Sequence, residues 1–124
     1  MSTITLKGVG ALGKLNSRSA HNAITQITDR STAVICQGLY GQIITTATSF
    51  LVPGAEAAFV VTNGSCKLGS VVSVSLGTNA SPTGTIIVAV STVTAGTFTI
   101  TYTNVHASEA CTSVLTFNFA IVRV

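Results

Sequence analysis

The run Thr97-Phe98-Thr99-Ile100-Thr101-Tyr102 alternates polar and apolar residues without a break. A β-strand sends successive side chains to opposite faces, so this pattern turns Phe98, Ile100 and Tyr102 toward a core and three threonines away from it. A helix has no use for a period of two. The same period recurs on both sides of this run. Leu115, Phe117, Phe119 and Ile121 alternate with Thr116, Asn118 and Ala120; Val72, Val74 and Leu76 alternate with Ser73 and Ser75. Ile86, Val88 and Val90 share one face, while Ile87 and Ala89 make the other face apolar as well. β-branched and aromatic residues suit such pleated, half-buried surfaces.

Turn sequences separate these runs. Thr62-Asn63-Gly64-Ser65, the stretch 77–84 and Thr94-Ala95-Gly96 supply Gly or Asn where φ must be positive, and 105–112 forms a polar connection. Residues 33–36, 43–52 and 57–62 provide further strands, with Pro53-Gly54 parting the last two. Strands therefore return about every 10–14 residues, the spacing of a sandwich. The expected fold is all-β: an antiparallel β-sandwich, jelly-roll-like, over residues 31–124.

The first thirty residues read differently. Lys7-Gly8-Val9-Gly10-Ala11-Leu12-Gly13-Lys14 places three glycines among basic residues and favours neither helix nor strand. Ala20, Ala23, Ile24 and Ile27 have helical spacing behind Ser19 as N-cap, which predicts one short amphipathic helix over 20–28. Ordering a residue costs on the order of 1.5 kcal/mol, hence roughly 45 kcal/mol for thirty. Few large apolar side chains are present here to offset that. The expectation is an extended N-terminal arm, residues 1–30, fixed by contacts with other chains.

Charge points the same way. Of the 124 residues only 7% are charged, against about 25% in a typical soluble domain, while 47% are hydrophobic. Serine and threonine keep the remaining surface polar, as suits a surface covered by neighbours. Lys7, Lys14, Arg18 and Arg30 against Asp29 place the whole net charge of +3 in the first thirty residues. These four cations are the candidate partner-binding residues, directed at an acidic patch on another protein. Nucleic acid would call for a denser basic patch interleaved with exposed aromatics. No secretory leader and no run of ~20 apolar residues is evident, so no membrane partner is expected.

Residues for catalysis are scarce. The carboxylates are Asp29, Glu56 and Glu109, and pairing the two glutamates for glycoside hydrolysis has no support in the surrounding sequence. Cys111 and His106 fall in one loop, where a nucleophile–base dyad is less expected than a polar loop beside a buried thiol. Cys36, Cys66, His106 and Cys111 lack metal-ligand spacing, and an odd cysteine count without C-x-x-C fits reduced, packed thiols, a Cys66–Cys111 pair remaining open. Asn63-Gly64-Ser65 and Asn79-Ala80-Ser81 match the glycosylation sequon but read as turns. The expectation is no enzyme and no cofactor.

Four stretches carry a family texture: Val-Val-Thr-Asn-Gly-Ser-Cys at 60–66, Val-Val-Ser-Val-Ser-Leu at 71–76, Gly-Thr-Phe-Thr-Ile-Thr-Tyr at 96–102 and Phe-Asn-Phe-Ala-Ile-Val at 117–122. Residues 60–124 resemble the small β-sandwich domains of tailed-phage head-decoration proteins and of the distal ends of viral fibres. The resemblance covers about half of the chain. It implies a structural virion protein on the particle surface, commonly a homotrimer. A fibre would need a shaft of repeats, and none is present. The expected function is therefore capsid decoration (a cement protein binding adjacent capsid subunits through its arm), with a spike or tail-fibre head binding a host receptor or glycan as the alternative.

Overall fold

The computed structural model describes residues 22–46, 50–79 and 84–122. It is all-β, with eight strands: β1 (Ala23–Thr25), β2 (Val34–Ile35), β3 (Tyr40–Ile44), β4 (Glu56–Thr62), β5 (Val71–Asn79), β6 (Ile86–Thr94), β7 (Thr97–Asn104) and β8 (Leu115–Val122). They form two four-stranded sheets, ordered β1-β3-β8-β5 and β2-β4-β7-β6. Alternation sets the faces. In β4 and β7 every second residue is buried, so Ala57, Phe59 and Val61 join Phe98, Ile100 and Tyr102 on one inner surface.

Aromatic rings lock the two inner surfaces together. Tyr102 of β7 packs on Phe117 of β8 at 4.9 Å between ring centroids, and Phe98 packs on Phe119 at 5.1 Å. Phe59 touches both Tyr102 and Phe117 at 6.3 Å. Phe59 and Tyr102 belong to one sheet, while the contacts of Tyr102, Phe98 and Phe59 with Phe117 and Phe119 of β8 bind layer to layer. Burying such a side chain contributes about 1.5–3 kcal/mol, which makes this ring cluster the main cohesive element.

The sandwich is not wholly antiparallel as expected. β1 runs parallel to β3, with Ile24 opposite Ile43, and β2 runs parallel to β4. Both parallel strands are short edge strands, where the slightly weaker parallel pairing costs least. The helix expected over 20–28 is also corrected in its described part: residues 23–25 are strand. A helix this short is marginal alone. As a strand, the segment borrows the β3 backbone and packs Ile24 against the core. Ser19 and Ala20 lie outside the described residues.

The boundary expected at Ser31 moves with it. β1 and the buried side chains of Gln26 and Arg30 already belong to the sandwich, so any arm ends before residue 22. The strand expected over 43–52 is instead displaced toward the N-terminus as β3, followed by an isolated bridge from Leu51 to Cys111. The β6–β7 hairpin turns at Ala95-Gly96, where Gly96 has φ 91°, the left-handed conformation its sequence called for.

Candidate interaction surface

The residues singled out for partner binding separate into two groups. Lys7, Lys14 and Arg18 lie outside the described residues. Arg30 does not reach outward: it is 3% exposed and directs its guanidinium into the domain, donating to the carbonyls of Ser113 (2.9 Å) and Cys111 (3.4 Å) and to Thr45 Oγ1 (3.4 Å). Its role is corrected from partner contact to internal brace. The turn that aims it is built by Asp29, whose carboxylate accepts from the Ser31 backbone N–H at 2.8 Å and from the Thr32 hydroxyl at 3.2 Å.

The candidate chemical groups are engaged elsewhere. His106 Nδ1 accepts the backbone N–H groups of Ser108 (3.0 Å) and Glu109 (2.9 Å), so that nitrogen folds a loop and has no free lone pair for Cys111. Cys36, Cys66 and Cys111 are free thiols and buried. Cys66 donates to the carbonyls of Thr94 and Thr97 at one end of the sandwich, whereas Cys111 pairs with Leu51 near the other, so they do not form the bridge left open above. Burial pushes the thiols of Cys36 and Cys66 up from their ordinary pKa. Among the described residues no three of His, Cys, Asp or Glu gather as metal ligands.

Two residues missed by the sequence reading organise the ends of the sandwich. Asn63 is fully buried; its Nδ2 donates to the carbonyls of Cys36 and Gly38, both at 2.7 Å, and its Oδ1 accepts from Ser65 N at 2.8 Å. Asn104 holds the opposite end, donating to Leu51 O (2.9 Å) and Glu109 O (2.8 Å) while accepting from Thr85 N and His106 N. The signal was present. Ala57, Phe59 and Val61 set a parity that places Asn63 inward, and Phe98, Ile100 and Tyr102 do the same for Asn104.

What remains exposed is the outer face of each sheet, and its chemistry is uniform. Among all residues of the eight strands, Glu56 alone is charged. The outer face of β7 is a file of threonines, Thr97, Thr99, Thr101 and Thr103, flanked by Ala58 and Val60 on β4 and by Ile87 and Ala89 on β6. Hydroxyls link across strands, Ser91 to Thr101 at 2.7 Å and Thr94 to Thr97. On the other sheet, Ser73, Ser75, Asn118 and Ala120 line a shallow depression, and Gln42 Nε2 donates to Asn118 Oδ1 at 3.2 Å. Apart from Glu56, the side chains on both faces are neutral. Such a face offers hydroxyl and amide hydrogen bonds, with the Glu56 carboxylate at one margin opposite Thr103.

Tyr102 links this core to alkaline stability. Burial pushes its phenol up to about 12, partly offset by the neighbouring Arg30 charge. A pKa raised on folding means that the native state favours the neutral phenol. Its contribution is therefore complete below the unfolded value near 10 and is lost as pH rises through about 12. Urea midpoints should hold from neutrality to the onset of tyrosine ionisation and then fall, the loss reaching on the order of 2–3 kcal/mol. Tyr102→Phe should lose about 1 kcal/mol at neutral pH with its bond to Arg30 O, and flatten the alkaline decline. An unchanged decline would assign it to other groups.

Comparisons with protein-family models, with curated proteins and with solved structures find no match to this chain.

Proposed function

We propose that this chain is a structural protein of a virus particle, a capsid-surface decoration or cement protein of a tailed phage that stabilises the shell by bridging adjacent capsid subunits. The observation that carries the reading is the near absence of charge on the strands, where Glu56 stands alone. A domain of this size living singly in solution keeps itself apart from others with charge. Neutral, hydroxyl-rich faces serve instead as permanent contact surfaces. The family texture of residues 60–124 supports the same reading and adds oligomerisation, a trimer being the form it implies. A jelly-roll-like order is supported by the chain crossing between sheets at each step from β3 through β6. Lys7, Lys14 and Arg18 supply the basic contacts of the N-terminal segment, and no cofactor or nucleic acid has a role.

Cosedimentation tests this. Full-length chain mixed with shells assembled from the major capsid protein of the same genome should pellet with them. A chain lacking residues 2–21 should keep its strand circular dichroism and remain in the supernatant. The deletion stops at 21 because β1 and Arg30 are parts of the sandwich. Equal pelleting of the truncated chain would remove the arm's role. A full-length chain that ignores shells but binds host cells would replace decoration by a receptor-binding head.

A further inference from the structure

The two sides of the sandwich are closed unequally. On one side the edge strands β1 and β2 are short, and the segment between them buries Gln26 and Arg30. On the other side lie β5 and β6, each nine residues long and each an outermost strand. Their inward-facing residues Val72, Val74, Ile86, Val88, Val90 and Val93 pack on the core yet stay partly open, whereas their counterparts on β7 and β8 are at most 5% exposed. Just outside this seam, Val71 and Ile87 are 53% and 58% exposed. Among the described residues, no strand pairs with the free edge of either strand. Neither contains a charge or a proline, the usual guards against edge pairing. One bulge in each, at 76–78 in β5 and 90–92 in β6, is the sole irregularity.

We propose that this β5–β6 side is the self-association surface of the protein, covered by the same side of a further copy. Extent supports a copy as the occupant. Nine residues at ~3.4 Å each, over two sheets ~10 Å apart and with side chains included, make a strip of about 30 by 20 Å, or roughly 600 Å². Two such strips facing each other bury roughly 1,200 Å², the lower end of stable interfaces. Charge supports it too. The chain carries a net +3, so two copies repel one another overall, but β5 and β6 carry no charge of their own. A partner selected by charge would find nothing to read. Symmetry completes the argument: a two-fold axis sets like edges antiparallel, the better hydrogen-bonding arrangement for exposed strands. The inference rests on the assembly role proposed above and names the surface used between copies, a two-fold contact that closes as a dimer in place of the trimer the resemblance implies, leaving the N-terminal segment for the shell.

Light scattering on the full-length chain at micromolar concentration tests it. The wild-type chain should be dimeric, and a trimer would overturn the two-fold contact. Val71→Lys with Ile87→Lys adds two charges per copy at exposed positions, where the fold tolerates them, and should raise the dissociation constant on the order of 100-fold. Ile27→Lys, at a residue 87% exposed outside this side, should leave the oligomer intact. Hydrogen exchange supplies the independent readout: amides of 71–76 and 86–90 should be protected in the oligomer and exchange freely on dilution. A monomeric wild-type chain overturns the self-contact, while shell cosedimentation separately decides the decoration role. An oligomer unmoved by the paired lysines, with exchange unchanged along both strands, overturns the assignment of the surface. Protection of the strip only on bound shells also overturns it, giving the surface to the capsid.

Discussion

Arg30→Ala should destabilise the domain by about 3–5 kcal/mol through lost hydrogen bonds and a cavity, a large part of the 5–15 kcal/mol that holds a typical domain together. The guanidinium is buried, and truncation strips donors from the carbonyls of Ser113 and Cys111 while opening a cavity beside Thr45. Thr45 is itself committed, its hydroxyl accepting the Leu115 N–H at 3.0 Å at the start of β8. The backbone of Arg30 is engaged as well, its carbonyl receiving Gln26 Nε2 and the Tyr102 hydroxyl. One side chain therefore ties the segment after β1 to the ends of β3 and β8 and to the loop before β8. Arg30→Lys keeps charge and stem but not the fork that reaches several acceptors at once, so about 1–3 kcal/mol should be lost. Urea unfolding of both variants checks the order. A loss below about 1 kcal/mol for Arg30→Ala would mark a surface residue and return Arg30 to the partner-binding group.

The strands were largely legible because period-two alternation is written by the burial it causes. Residues 98–102, 72–76, 86–90 and 115–121 lie within β7, β5, β6 and β8 as read. The edges were not legible. β1 and β2 are too short to show a period, and Ala20, Ala23, Ile24 and Ile27 imitate a helix where the β3 backbone recruits residues 23–25 as strand. Parallel pairing of edge strands depends on connections that no local pattern encodes. Arg30 was misread for a related reason: in sequence it is one more cation in a basic stretch, and only the Asp29 turn directs it inward. Asn63 and Asn104 were within reach. Following the inward parity two residues beyond Val61 and Tyr102 lands on them, and a polar residue there announces a buried hydrogen-bonding hub rather than an ordinary turn. The neutral outer faces were visible as composition; their distribution, with one charge across eight strands, needed the strand boundaries.

Asn104→Ala should cost on the order of 3–4 kcal/mol, because every hydrogen-bonding position of its side chain is filled in a site without access to water. Its loss would remove the side-chain partners of the Glu109 carbonyl and of the Thr85 and His106 N–H groups in one step, and leave the Leu51 carbonyl with the Cys111 N–H alone. These four groups come from the segment before β4, the approach to β6 and the loop after β7, so the substitution should loosen that whole end while Asn63 still holds the other. Neighbouring chain is fitted to the amide: Gly84, at φ +73°, has Asn104 Oδ1 2.9 Å from where a Cβ would sit. Asn104→Asp separates hydrogen bonding from shape. It keeps the volume and both acceptor contacts but turns two donors into an anion facing two carbonyls, so at neutral pH it should be at least as destabilised as the alanine variant. Because the folded state favours the protonated acid, its deficit relative to wild type should shrink as pH falls and the carboxyl gains a proton. Urea midpoints of the three proteins between neutral and acid pH, with hydrogen exchange at 105–111, measure this. An aspartate variant as stable as wild type at neutral pH would mean that the amide donors contribute little, and that this end is held by packing alone.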